Sequence, residues 1–153
     1  MSTSYLENPS AGLVPRIAAM GYDFLMLIAV WMLVSFLHIM VRGEPIEGQP
    51  SGFQYTLFPL LVLSTVAFYS WFWTHGGQTL GMRAWRIKVV HQKLDGTRIT
   101  YSQCIVRMAV GTLSLFSLGM GYISVLFNSN SDCWHDTASH TRTIRLPKKT
   151  GLY

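Results

Sequence analysis

A chain of 153 residues, half of them apolar and only 12% charged, holds one domain's worth of sequence. Its apolar residues are gathered in long runs, which argues for an integral membrane protein over a soluble core. The formal charge of +5 gives no ground for a nucleic-acid partner. The basic residues flank the apolar runs, where they act as orientation signals and as contacts to anionic lipid.

Residues 1–12 are small and polar, with Pro9 and Gly12 as breakers. The first ten contain Glu7 and no Lys or Arg, and the apolar run that follows is too long for a signal h-region. The first span, about residues 13–41, is therefore expected to stay as an anchor. About 20 apolar residues cross the hydrocarbon layer, and Pro15 fits a first helical turn, where its missing N–H costs nothing. Inside this span stand Arg16 and Asp23. Their spacing is nearly two helical turns, roughly 10 Å, so both lie on one face. A charge at membrane depth costs several kcal/mol unless it meets a partner or water. That face must point into protein or a polar cavity. His38, near the far end, is expected to be a satisfied interfacial histidine.

Residues 42–52 spell a Gly- and Pro-rich loop. A second span, 53–73, carries no charge and ends in Tyr69, Trp71 and Trp73. These aromatics, with Trp85 and Trp134, are expected to anchor at the interface. Segment 74–103 differs in kind. His75-Gly76-Gly77 breaks the helix, and Gln78 or Thr79 opens a short one that lays Leu80, Met82 and Trp85 on the membrane surface. Residues 86–90 alternate with the period of a strand. Asp95-Gly96 is a turn signal, and Arg98-Ile99-Thr100 reads as a returning strand. Thr100 or Ser102 then caps the next helix. Arg83, Arg86, Lys88, Lys93 and Arg98 place this segment, and the N-terminus with it, in the cytoplasm. Of these, Arg83, Arg86 and Lys88 are candidate contacts to anionic head groups.

The third apolar run, 104–127, is interrupted by Arg107, which is expected to snorkel to the interface. The tail, 128–153, holds a second alternating stretch at 141–146 and the basic residues Arg142, Arg145, Lys148 and Lys149. A single third crossing would put these outside, against the positive-inside rule. A return near Ser117 to Gly121, as two helices of about 10–12 residues packed within protein, would keep them inside. It would also let 141–146 pair with 86–90 and shelter two strand edges. Both alternatives stand. The expected fold is thus an all-α membrane protein in a single domain, 1–153. It has two full transmembrane helices, a third apolar segment that spans once or forms a re-entrant hairpin, and a small cytoplasmic β element.

Three stretches carry a resemblance: PRIAAMGYDFLML, GGQTLGMRAWRIKVV with the later DGTRIT, and WHDTASHTRTI. In this order they resemble the RDD family, named for one arginine and two aspartates. The family's arginine falls on Arg16 and its first aspartate on Asp23. Its second, in an HD motif, falls on Asp136. An A-G-T is usual where this chain has Ala138-Ser139-His140-Thr141. The resemblance implies a multi-pass protein of the bacterial inner membrane, and a transport role has been proposed for such proteins from their intramembrane charges.

Arg16, Asp23 and Asp136 form the candidate site. In one reading Asp23 exchanges a proton or cation as a pathway opens, biased by Arg16 and Asp136. In the other the three are a structural staple, because a guanidinium fork suits two carboxylates. Cys104 and Cys133 are too few for a disulfide framework. With His135 and His140 they lack a usual zinc spacing, so no metal is expected. Gly76, Gly77 and Gly81 do not make a phosphate loop, and no nucleophile–base pair stands out. No cofactor and no enzymatic activity are expected. The leading function is a small transporter of protons, a cation or a small solute, working as a homo-oligomer because three helices make a thin bundle. The rival is a membrane scaffold that binds lipid or a partner protein.

Overall fold

A computed structural model describes residues 8–43, 52–117, 119–126 and 132–147. Most of the loop expected at 42–52, and Lys148 and Lys149 of the basic tail, lie outside the described residues. Helix α1 runs Leu13–Arg42 and helix α2 Phe53–His75. Both are long and apolar enough to cross a membrane.

The buried residues of α1 are Arg16, Ala19, Asp23, Leu27 and His38. The first four repeat at three- and four-residue intervals and so form one stripe along the helix. Phe24, Leu25, Met32, Leu33 and Phe36 lie outside this stripe and are exposed, as are Phe58 and Leu63 of α2. An apolar surface of that extent fits lipid, not water. The two helices are tied by polar contacts. Trp31 Nε1 donates to Thr65 Oγ1 at 2.9 Å, and His38 Nε2 meets Thr56 Oγ1 at 2.9 Å.

After α2 the chain turns into a compact layer. Thr79 caps a short helix α3, Leu80–Ala84, by accepting from the Met82 N–H. α3 lies across α1 through Gly81, where a Cβ would stand 2.3 Å from the Ala19 carbonyl oxygen. Only glycine allows that approach. Met82 is buried in the core instead of resting on the surface with Leu80 and Trp85. Strand β1, Ile87–His91, follows.

Arg98-Ile99-Thr100 does not return as a strand. Thr100 is the N-cap of helix α4, Tyr101–Phe116, in a capping box with Gln103, so the chain is committed to the helix there. The partner of β1 is β2, Thr141–Arg145, antiparallel with Ile87 opposite Arg145 and Val89 opposite Thr143.

The apolar run 104–127 is not one helix. α4 stops at Phe116, Gly119 takes a left-handed conformation at φ 75°, and helix α5, Met120–Ile123, leads into a 3-10 turn at Ser124–Leu126. Gly119 can adopt that φ without a Cβ penalty. A last short helix, α6, Trp134–Ala138, delivers the chain to β2. The hydrophobic core is small and sits at one end of α1, where Ala11, Ala19, Met82, Ile87, Val89, Ile99 and Cys104 meet. Trp73, expected as an interface anchor, packs against this core. Trp71 and Trp134 are exposed.

Candidate functional site

Asp136 is the centre of the charged cluster. It is the third residue of α6, has no solvent exposure, and caps the helix by accepting from the Cys133 N–H at 3.3 Å. The oxygen that takes this bond, Oδ2, also accepts from Arg16 Nη1 at 2.5 Å. Oδ1 accepts from Arg107 Nη1 and from the Thr143 hydroxyl at 3.0 Å. Each guanidinium is held by further bonds. Arg16 Nε donates to the Ala11 carbonyl at 2.9 Å. Arg107 donates to the hydroxyls of Thr141 at 2.7 Å and Thr143 at 2.8 Å, and lies 5.3 Å from the centre of the Trp73 ring.

Arg107 therefore does not snorkel. The buried residues of α4 are Cys104, Arg107, Gly111 and Ser114, which share one stripe. That stripe packs on α6 and β2, so the guanidinium turns inward to Asp136. The charge in the apolar run was visible in the sequence; the side it faced was not.

Burial works to raise the Asp136 carboxyl, but Arg107 and Arg16 outweigh it and hold the group well below the usual carboxylate range. Asp136 is an anion at any ordinary pH. Burial, and then the Arg107 charge, push the His135 imidazole down to about 3, so it is neutral. Burial pushes the Cys133 thiol up to about 12, and Arg16 Nη1 donates to its sulfur at 3.3 Å.

Cys133, His135 and Asp136 offer ligand atoms within 4.8 Å of one another. A divalent cation there would have to displace two guanidiniums from the carboxylate and a proton from the thiol, so the donor set does not fit a metal. Cys104 is buried apart from this group, and His140 is exposed beside Gln92.

Asp23 is handled differently. Its Oδ2 accepts from the Thr79 hydroxyl at 2.5 Å and its Oδ1 from the Gly81 N–H at 2.9 Å. Among the described residues no cation forms an ion pair with it. Arg16 thus goes to Asp136 and not to Asp23. Arg16 and Asp23 do share a cavity of about 230 Å³, lined also by Tyr69, Trp73, Arg107 and His135. Asp136 lies behind its wall. Arg83 and Arg86 are exposed and Lys88 is half-buried on β1, all outside this cavity. Thr79, Arg107, Thr141 and Thr143 complete the site and were not singled out for it by the sequence. For Thr79 the only signal was its place in GGQTLG.

Comparison with curated proteins gives no match, and comparison with solved structures gives none. The RDD family matches over residues 10–140, a range that includes Arg16, Asp23, Arg107 and Asp136. With most of its length matched, and two helices fit to cross a bilayer, the chain belongs to the RDD family and is a membrane protein.

Proposed function

We propose that the protein is a small membrane transporter for protons, a cation or a small solute, and that Asp23 is its exchanging group. One observation supports this division of labour. Asp136 has both oxygens taken by guanidiniums, whereas Asp23 lines the cavity with, among the described residues, a hydroxyl and an amide N–H as its partners. Arg16, Asp136 and Arg107 then form the fixed frame, and Asp23 is the carboxylate left to change its proton or cation. Neither cofactor nor catalytic step is required.

In this reading the protein sits in the bacterial inner membrane as a multi-pass, homo-oligomeric unit with its N-terminus and β element in the cytoplasm. The segment 104–127 enters and returns. At 16 residues α4 is about 24 Å long, short of the roughly 30 Å hydrocarbon layer.

The test compares wild type with Asp23→Asn in liposomes carrying a pH dye. The wild type should dissipate an imposed gradient and the Asn variant, at the same melting temperature, should not. A folded wild type that is silent under H⁺, Na⁺ and K⁺ gradients would end the reading as a proton, sodium or potassium transporter. The saturated bonding of Asp136 favours a second reading, a scaffold in which the charges only dock helices. It gains if Asp23→Asn lowers the melting temperature and activity merely follows folded protein.

A further inference from the structure

Away from the Asp136 cluster the structure holds a second cavity, of about 190 Å³, between the end of α2, β1 and the turn before α4. Its wall includes His75, Gly77, Lys88, Thr97 and Arg98, and no Asp or Glu among the described residues. A Cβ at Gly77 would stand 3.0 Å from Lys88 Cε, so the lysine stem is laid across the glycine. Arg98 is exposed and forms no ion pair among the described residues. Asp95, the acid nearest to it in sequence, accepts from the Thr97 N–H at 2.9 Å and is not part of the wall. Two fixed positive charges thus line one cavity with no carboxylate beside them. His75 joins this cavity to the outer side of α2. Leu63, Ala67, Trp71 and His75 are all exposed and recur every four residues, which makes them one ridge of the helix. From Leu63 to His75 is about 18 Å, a little more than half of the roughly 30 Å hydrocarbon layer. The Trp71 and His75 rings stack at 4.1 Å, and tryptophan collects at head-group level.

We propose that this second cavity holds the phosphate of an anionic phospholipid, whose acyl chain lies along the ridge of Leu63, Ala67 and Trp71. A guanidinium fork grips two phosphate oxygens at once, which is the part of Arg98, and the Lys88 ammonium adds a second positive charge. A phosphatidylcholine or phosphatidylethanolamine head would bring a cation to a wall with no carboxylate to answer it. The uncharged glycerol head of phosphatidylglycerol meets no such conflict. The apolar ridge that runs up to His75 favours a lipid over free phosphate. Arg83 and Arg86 lie outside this cavity, so binding depends on Arg98 and not on every base of the segment. It needs no gradient and stands or falls separately from exchange at Asp23.

Native mass spectrometry of the full chain released from micelles tests it, with phosphatidylglycerol or phosphatidylcholine titrated in. Salt is held at about 0.15 M, where exposed charges are screened beyond about 8 Å. One phosphatidylglycerol should be retained saturably, about fivefold more tightly than phosphatidylcholine. Arg98→Gln should weaken that binding about tenfold. Thr97→Trp, which blocks the cavity from the same turn, should weaken it as much, and melting curves check that each variant folds. Arg83→Gln combined with Arg86→Gln removes twice the charge outside the cavity and should cost less than about threefold. Equal retention of the two lipids would overturn the proposal, as would equal losses from Arg98→Gln and from the Arg83 and Arg86 pair. So would undiminished retention in either folded cavity variant, or no lipid retained by folded wild type. Displacement of the lipid by inorganic phosphate at equal concentration would also overturn it, by marking a site for a soluble anion.

Discussion

Asp136 concentrates the energetics of the molecule in one side chain. Its two oxygens answer Arg16, Arg107, the Cys133 N–H and the Thr143 hydroxyl. Asp136→Asn would leave two guanidiniums buried and poorly paired, and breaking a buried pair costs about 3–5 kcal/mol. Denaturant unfolding in micelles should show a loss of that size. Asp132→Asn is the control. Asp132 pairs with Arg142 at 3.0 Å in a partly exposed setting, and its loss should cost no more than about 1 kcal/mol.

Beside it, His135 predicts a pH dependence. The native imidazole titrates at about 3 against an ordinary 6.5, so as pH falls the unfolded chain takes up the proton first. Stability is full above 6.5 and declines as pH falls from there toward about 3. The steepest slope is about 1.4 kcal/mol per pH unit. Asp136 has its native carboxyl depressed too. Its contribution is complete above the unfolded carboxylate value of about 3.9 and is lost only below that. Between about pH 6 and 4.5 Asp136 adds no slope, so whatever slope His135→Leu removes there is the imidazole's own. Melting temperatures of His135→Leu should vary less with pH over this window than those of wild type; an unchanged slope would contradict the assignment.

At the scale of elements, α3 is held on α1 by a missing side chain and a carboxylate. Gly81→Ala would put a methyl 2.3 Å from the Ala19 carbonyl oxygen and 2.9 Å from Asp23 Oδ1. The helices must part, at a cost of about 1–3 kcal/mol, which thermal melts would register. Gly21→Ala, on α1 with nothing within 4 Å, should be neutral or stabilising by up to about 1 kcal/mol. Equal effects at the two glycines would refute the close-approach argument. The elements also show where local reading ran out. α1 and α2 follow from length and hydropathy, and residue type narrows two helix starts to Gln78 or Thr79 and to Thr100 or Ser102, of which the structure takes Thr79 and Thr100. Residue type alone points Arg107 and Trp73 to the interface, yet both turn inward. Which way a side chain faces depends on what its helix packs against, and that is not written within its own helix. Arg98-Ile99-Thr100 had strand-like residues, but the Thr100 capping box claimed the end of that stretch first.

In the molecule as a whole, β1 and β2 are hydrogen-bonded neighbours although α4, α5 and α6 lie between them in sequence. Two paired strands must be on one side of a bilayer. Lys93→Cys and Leu146→Cys should therefore react alike with a membrane-impermeant thiol reagent, against a low background because Cys104 and Cys133 are buried. Reaction of one from intact cells, and of the other only after permeabilisation, would show that the strands do not pair in the cell.

The amino-acid sequence by itself determined that this is a membrane chain of the RDD type, with two long apolar helices and buried charges in need of partners. Those properties are local, being sums over runs of neighbouring residues and the fixed cost of a charge in hydrocarbon. Only the tertiary structure decided which partner each charge took. Arg16 and Arg107 converge on Asp136, while Asp23 receives a hydroxyl and an amide from α3. Pairing of that kind joins residues far apart in the chain, and it is chosen by how the helices and strands pack together.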